Sequence, residues 1–140
     1  MPDKLFATDT LRISTDGASR GNPGPAAIGV VLGGKKYGSQ IGYATNNEAE
    51  YQAVLFALHK AKQIIGKKAS RETALEIYMD SELVYKQLNG RYKVSEPKLQ
   101  KFFIDVWNLK QDFKAVSFSN VPREQNKEAD KLANEALDEK

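Results

Sequence analysis

Residues 11–44 read LRISTDGASRGNPGPAAIGVVLGGKKYGSQIGYA, and their pattern sets the fold class. Leu11, Ile13 and Thr15 alternate with Arg12 and Ser14, which predicts a half-buried strand over 10–16. DGASRGNPGP follows, with three glycines and two prolines in ten residues, so a tight turn is expected there. AAIGVVL (26–32) reads as a second strand, Gly33-Gly34 as a hairpin turn and KYGSQIGYA (36–44) as a third strand. Three strands joined by such short links predict an antiparallel meander.

Outward from this block the period changes. Thr45 to Ile65 reads as one long helix ended by Gly66. Leu75, Ile77 and Met79 alternate in a fourth strand that stops at Asp80, and a helix over 81–89 ends at Asn89-Gly90. Ser95 is expected to cap the next helix and Pro97 to open it, with Leu99, Phe102, Phe103, Val106, Leu109 and Phe113 on its apolar side. AVSFS (115–119) is a fifth strand, and a last helix from Asn126 carries Ala129, Leu132, Ala133, Ala136 and Leu137. The fourth and fifth strands arrive after helices, so each should run parallel to a neighbour by a crossover. The expected class is α/β: a mixed five-stranded sheet, an antiparallel meander plus two parallel strands, flanked by helices.

Composition narrows the chemistry. A chain of 140 residues without repeats, low-complexity tracts or a long linker is expected to form a single domain over 1–140. There is no cysteine, which removes disulfides, zinc fingers, iron–sulfur clusters and thiol catalysis. The one histidine, His59, falls mid-helix, so triad chemistry and His-rich metal sites have nothing to use. Lys and Arg number 21 against 18 Asp and Glu, a net charge of +3 that permits a polyanionic partner without demanding one. No 18-residue apolar run occurs and MPDKLFATDT lacks a signal-like apolar core, so a cytoplasmic protein with no membrane span is expected.

Four acids need explaining. Asp16 sits where an apolar strand is expected to end, and Asp80 where another does. The rim at strand ends is where open α/β sheets bind ligands. Asp16 also reads as a turn residue before Gly17, and Asp80 as an N-cap. Glu50 shares a helical stripe with Ala53, Val54, Ala57, Leu58 and Ala61, so it should press onto the sheet. A buried carboxylate is costly unless paired, protonated or bound to a metal. An Asn47-x-x-Glu50 capping box competes with this reading, although Thr45-x-x-Glu48 makes an equally good box. Asp130 lies in register with Ala133 and Leu137, but taken alone it reads better as an i,i+3 partner of Lys127 on a solvated face. Four converging carboxylates would repel, and divalent cations would relieve them. Oxygen ligands without His or Cys suit Mg²⁺ or Mn²⁺, and two such ions are the usual apparatus for attack on a phosphodiester.

STDGASRGNPGPAAIGVVL, TNNEAEYQAVLFAL, YMDSELVYKQLNG and VPREQNKEADKLANEAL occur in this order, each around one of the four acids. Together they strongly resemble ribonuclease H of type 1 over about 10–138. The resemblance implies a ribonuclease H-like fold and an endonuclease cutting the RNA strand of RNA–DNA hybrids. It implies 5′-phosphate and 3′-hydroxyl ends and two Mg²⁺ or Mn²⁺ ions. By motif match Asp16 would bridge both ions, with Asp130 on the nucleophile-side ion and Glu50 and Asp80 on the other. A non-catalytic hybrid-binding module of the same fold is the alternative, and a resolvase or integrase-like nuclease a third. The expected partner is the hybrid, read with little sequence preference, and the expected state is a monomer.

Gly17, Ser19 and Asn22 in the first turn, with Asn46 and Asn47 at the helix start, suit contacts to ribose 2′-hydroxyls, which need close backbone and short polar side chains. The resemblance places matching positions on the hybrid's minor groove. It also puts Thr45 at a DNA-strand phosphate, where a helix N-terminus would help. The run 86–101 (Lys86, Arg91, Lys93, Lys98 and Lys101 against Glu96, with Tyr92) is either a DNA-backbone contact or a solvated face. The segment between Asp80 and Trp107 is too short to hold the extra basic helix of many bacterial relatives. Many relatives also carry a histidine in the loop before the last acid. Here that loop is VPREQN and Arg123 takes its place. An arginine stays protonated, so Arg123 is expected to hold phosphate rather than act as a base, with Glu124 in a minor role as an acid or transient ligand.

Overall fold

The computed structural model describes residues 10–139. The N-terminal segment over 1–9, read above for a signal, lies outside the described residues, as does residue 140. Five strands form one sheet: β1 (Thr10–Ser19), β2 (Gly24–Leu32), β3 (Lys35–Ala44), β4 (Ala74–Met79) and β5 (Ala115–Asn120). Their order is β3-β2-β1-β4-β5. β1 pairs antiparallel with β2 and β2 with β3, whereas β1–β4 and β4–β5 are parallel. The helices are α1 (Asn46–Ile65), a single turn α2 (Lys67–Ser70), α3 (Glu82–Leu88), α4 (Pro97–Lys110) and α5 (Lys127–Asp138). A 3₁₀ turn at Arg123–Gln125 precedes α5. None of the described helices is long and apolar enough to cross a membrane.

The first turn and the start of α4 differ from expectation, each for a physical reason. DGAS is not turn: β1 runs on through Ser19, because Asp16↔Gly29, Gly17↔Ile28, Ala18↔Ala27 and Ser19↔Ala26 keep pairing with β2. The turn shrinks to residues 20–23, closed by Arg20 N–H donating to Pro25 O at 2.8 Å. Ser95 does not cap α4. Glu96 holds the N-cap position without a side-chain bond, and Pro97 begins the helix, where its missing N–H costs nothing.

α1 carries Tyr51, Val54, Ala57, Leu58 and Ala61 onto one face of the sheet, where they meet Ile13, Val30, Leu75, Ile77 and Met79. α4 adds Leu99 and Val106 to the same core, and Phe113 joins it from beyond the helix end. The buried Tyr51 hydroxyl donates to Gln87 Oε1 at 2.8 Å, tying α1 to α3, and burial pushes this phenol's pKa up.

α5 covers the other face, packed on β2, β3 and β1. Glycines set how close it comes. A Cβ on Gly29 would land on the Ala129 carbonyl oxygen and 2.8 Å from Ala133 N, and one on Gly38 would lie 2.7 Å from Leu132 O. Gly38→Ala is therefore expected to lift part of α5 and cost about 1 kcal/mol, a fall in Tm of about 2–4 °C by calorimetry. An unchanged Tm would show that α5 shifts at no cost.

Candidate active site

β1 and β4 stop pairing at Ser14↔Tyr78, although β1 continues along β2. Asp16 and Asp80 are each two residues beyond that last pair, so both stand where the two central parallel strands part at their carboxyl ends. This is the rim of an α/β sheet that offers unpaired backbone and room for a ligand. Asp16 is thus a mid-strand residue of the β1–β2 ladder, not the strand-end turn aspartate expected. Asp80 does not cap α3, because Ser81 Oγ accepts from Val84 N–H at 3.3 Å.

Glu50 arrives from α1. Thr45 and Glu48 form the capping box: Thr45 Oγ1 accepts from Glu48 N–H at 3.1 Å, and Glu48 Oε1 from Thr45 N–H at 3.0 Å. That removes the competing cap and frees Glu50, one turn-step inward and half-buried, to face β1. Its Oε1 accepts from Gly17 N–H at 3.1 Å. Carboxylate oxygens of Asp16, Glu50 and Asp80 all lie within 4.8 Å of one another. Asp130, on the first turn of α5, is not part of that set of three but lies within hydrogen-bonding reach of Asp16 and lines the same cleft. Its Oδ1 accepts from Asn134 Nδ2 at 3.1 Å, so its partner is one helical turn on, not Lys127.

The electrostatics follow from crowding. Burial, then the charge of Asp80, then the hydrogen bond and charge of Asp130 raise the Asp16 carboxyl from 3.8 to about 8, against a lowering by Gly17 N–H. Glu50 is pushed well above its ordinary value, first by burial and then by Asp16 and Asp80. Protein dipoles alone therefore do not hold this cluster fully ionised at neutral pH. The donors are hard oxygens, and a divalent cation is the counter-charge that fits them.

The cleft has a volume of about 530 Å³ and is lined by Asp16, Gly17, Ser19, Asn46, Glu50, Asp80, Arg123, Asp130 and Asn134, with Ala18. Of the expected nucleic-acid contacts, Gly17, Ser19 and Asn46 border it. Ser19 Oγ is already engaged with Ala44 O at 2.7 Å. Asn22 is exposed, and its Oδ1 accepts from Asn46 N–H at 3.0 Å, tying the first turn to the start of α1. Thr45 is occupied as the N-cap, and Asn47 does not line the cleft. Arg123 reaches the cleft from the 3₁₀ turn, whereas Glu124 is exposed and outside its lining. In the basic run, Lys86 is spoken for by Glu82 at 2.9 Å and by the Tyr92 ring, 4.9 Å from its centre. The local pattern marks Asn126 only as a helix start and does not single out Asn134. An asparagine four residues after Asp130 was the readable signal for Asn134.

Residues 14–136 match the family described as Reverse transcriptase-like. The chain is 45% identical over 130 residues to ribonuclease HI of Halobacterium salinarum, covering 89% of this chain and 62% of that protein. It is 38% identical over 133 residues to a bifunctional protein of Mycobacterium tuberculosis, covering 90% of this chain. The chain thus spans about a third (35%) of that relative's length. Among solved structures, ribonuclease H1 of Halobacterium salinarum superposes with a TM-score of 0.84 at 42% identity, over 92% of this chain and 98% of that one. LC11 ribonuclease H1, solved in complex with an RNA/DNA hybrid, superposes with 0.86 at 41% identity, over 91% and 96%.

Proposed function

Since the chain belongs to the ribonuclease H family of type 1, we propose that it is an endonuclease hydrolysing the RNA strand of RNA–DNA hybrids. The observation that carries this is the meeting of the Asp16, Glu50 and Asp80 oxygens within 4.8 Å, with Asp130 beside them, at the parting of β1 and β4. These four carboxylates would hold two Mg²⁺ or Mn²⁺ ions. Bound there, such ions supply a hydroxide-like nucleophile and charge stabilisation for the departing 3′-oxygen, leaving 5′-phosphate and 3′-hydroxyl ends.

The protein's own groups account for the rest. Gly17 keeps β1 bare of a side chain, so Asp16 sits against the start of α1 and a sugar edge can come close. Ser19 and Asn46 present short polar groups on the cleft wall, suited to a 2′-hydroxyl, with Asn22 holding the start of α1 in place and Asn47 beside it. Thr45 organises the α1 N-terminus, the positive end of the helix dipole, which suits a DNA-strand phosphate. Contacts to sugar and phosphate carry little base information, so cutting should show little sequence preference. One ribonuclease H domain over 1–140, acting as a monomer, suffices for these roles.

The test is a labelled hybrid incubated with the protein in Mg²⁺, in Mn²⁺ and in excess EDTA, beside duplex RNA and duplex DNA. RNA-strand cutting with either metal and loss of more than about 99% of it in EDTA is expected. Binding without cutting in both metals would instead make the chain a hybrid-holding module.

Arg123 sits on the cleft wall with a fixed positive charge, suited to the scissile or departing phosphate. Arg123→Ala is expected to lower kcat by about tenfold to a hundredfold, while Glu124→Ala stays within about twofold of wild type. Single-turnover rates on the hybrid check this, and the reverse ranking would exchange the two roles.

A further inference from the structure

Asn126 occupies the N-cap position of α5, where an asparagine side chain ordinarily accepts from the helix's own first-turn N–H groups. It does not do so. No side-chain capping bond forms, and the residue is only 2% exposed. Its Nδ2 donates to Thr15 O at 2.9 Å and to Asp80 Oδ2 at 3.3 Å. Both acceptors can only accept, so the orientation of the amide is fixed. Its Oδ1 is buried without a partner among the described residues. Its backbone carbonyl accepts from Asp130 N–H at 3.1 Å. One residue thus touches the β1 backbone just before Asp16, the carboxylate of Asp80 and the backbone of Asp130. These are three of the four segments that carry the acids, and they come from different parts of the chain. Giving up a cap and burying a polar amide both cost stability. A residue that serves only to start a helix gains nothing from either.

We infer that Asn126 is a positioning residue that locks the Asp80 carboxylate to β1 and α5, holding the acid cluster at the spacing a divalent cation needs. This rests on the nuclease reading above, and its test has a readout independent of cutting. Asn126→Ala removes the clamp. Asn126→Ser also removes it, because serine is too short to reach Asp80, yet it restores a good N-cap hydroxyl and so protects the fold. Mn²⁺ binding by calorimetry without nucleic acid, kcat and KM on the hybrid, and Tm are measured for all three proteins.

Both variants are expected to bind Mn²⁺ about tenfold more weakly and to lose about tenfold or more in kcat, with KM within about twofold. For Asn126→Ser the Tm should stay near wild type. Mn²⁺ affinity and kcat of Asn126→Ser within twofold of wild type would overturn the inference and leave Asn126 a helix-start residue. If the wild-type protein itself bound no Mn²⁺, the nuclease reading would fall instead.

Discussion

Asp16→Asn is expected to lower turnover on an RNA–DNA hybrid by about a thousandfold or more, while hybrid binding stays within a few-fold. Asp16 is the most enclosed of the four acids and the one whose neighbours include all the others. An amide there keeps the shape but removes the charge that a cation needs. The same variant has an opposite effect on stability. Below pH 3.8 Asp16 is protonated in both the folded and the unfolded chain. Between 3.8 and about 8 the unfolded chain has released this proton while the folded chain keeps it. The folded state binds more protons across that window, so metal-free stability falls as pH rises. The substituted amide has no proton to release, and that part of the slope disappears. Scanning calorimetry in EDTA should find Asp16→Asn the more stable protein at pH 8, by about 5 °C, with the gap closing toward pH 4. Saturating Mg²⁺ should reverse the order, because only the wild type gains from binding it. Equal Tm values at pH 8 in EDTA would mean that Asp16 is not held protonated.

Gly17→Ala is expected to damage both the fold and the site. A Cβ at Gly17 would fall on the carbonyl group of Ala49 and 2.5 Å from Glu50 N, inside the 3.0 Å that real Cβ atoms keep. Those atoms are the backbone of the first turn of α1, so no side-chain rotation relieves the clash. Either β1 or the start of α1 must move, at a cost of about 1–3 kcal/mol. The movement also separates Asp16 from Glu50 and breaks the Gly17 N–H bond to Glu50 Oε1. Tm should fall by about 3–10 °C. The kcat measured well below Tm should fall by about tenfold or more, with a higher Mn²⁺ requirement. A full kcat with a lowered Tm would show the spacing of the acids to be uncritical.

The parts legible in the sequence are those set by local pattern. The alternation at Leu11, Ile13 and Thr15, the Gly33-Gly34 turn and the Thr45 to Gly66 helix each follow from neighbours a few residues away, and the sheet's mixed topology follows from which links hold helices. Glu50 was legible because a charged residue on an otherwise apolar stripe is a local anomaly. Most of what failed depended on distant partners. DGAS looks like turn, yet β2 pairs with it to Ser19, and no local signal reports a ladder's far end. Ser95 looks like a cap, but the chain starts α4 one residue later. Gly17 read as permissive backbone near a sugar, whereas its tightest constraint is the approach of α1. Asn126 reads as the beginning of a helix, whereas its side chain bonds Thr15 and Asp80, 111 and 46 residues away.

α5 seats on β2 and β3 through Gly29 and Gly38 and brings Asp130 to an acid in β1. Its docking surface is made of the earliest strands, whereas its own residues are translated after all five strands. The ensemble of charges therefore stays incomplete through most of the synthesis of this fold. The first three acids are in the chain long before the fourth, and the set closes only when the last helix has been made and has docked on the earliest strands.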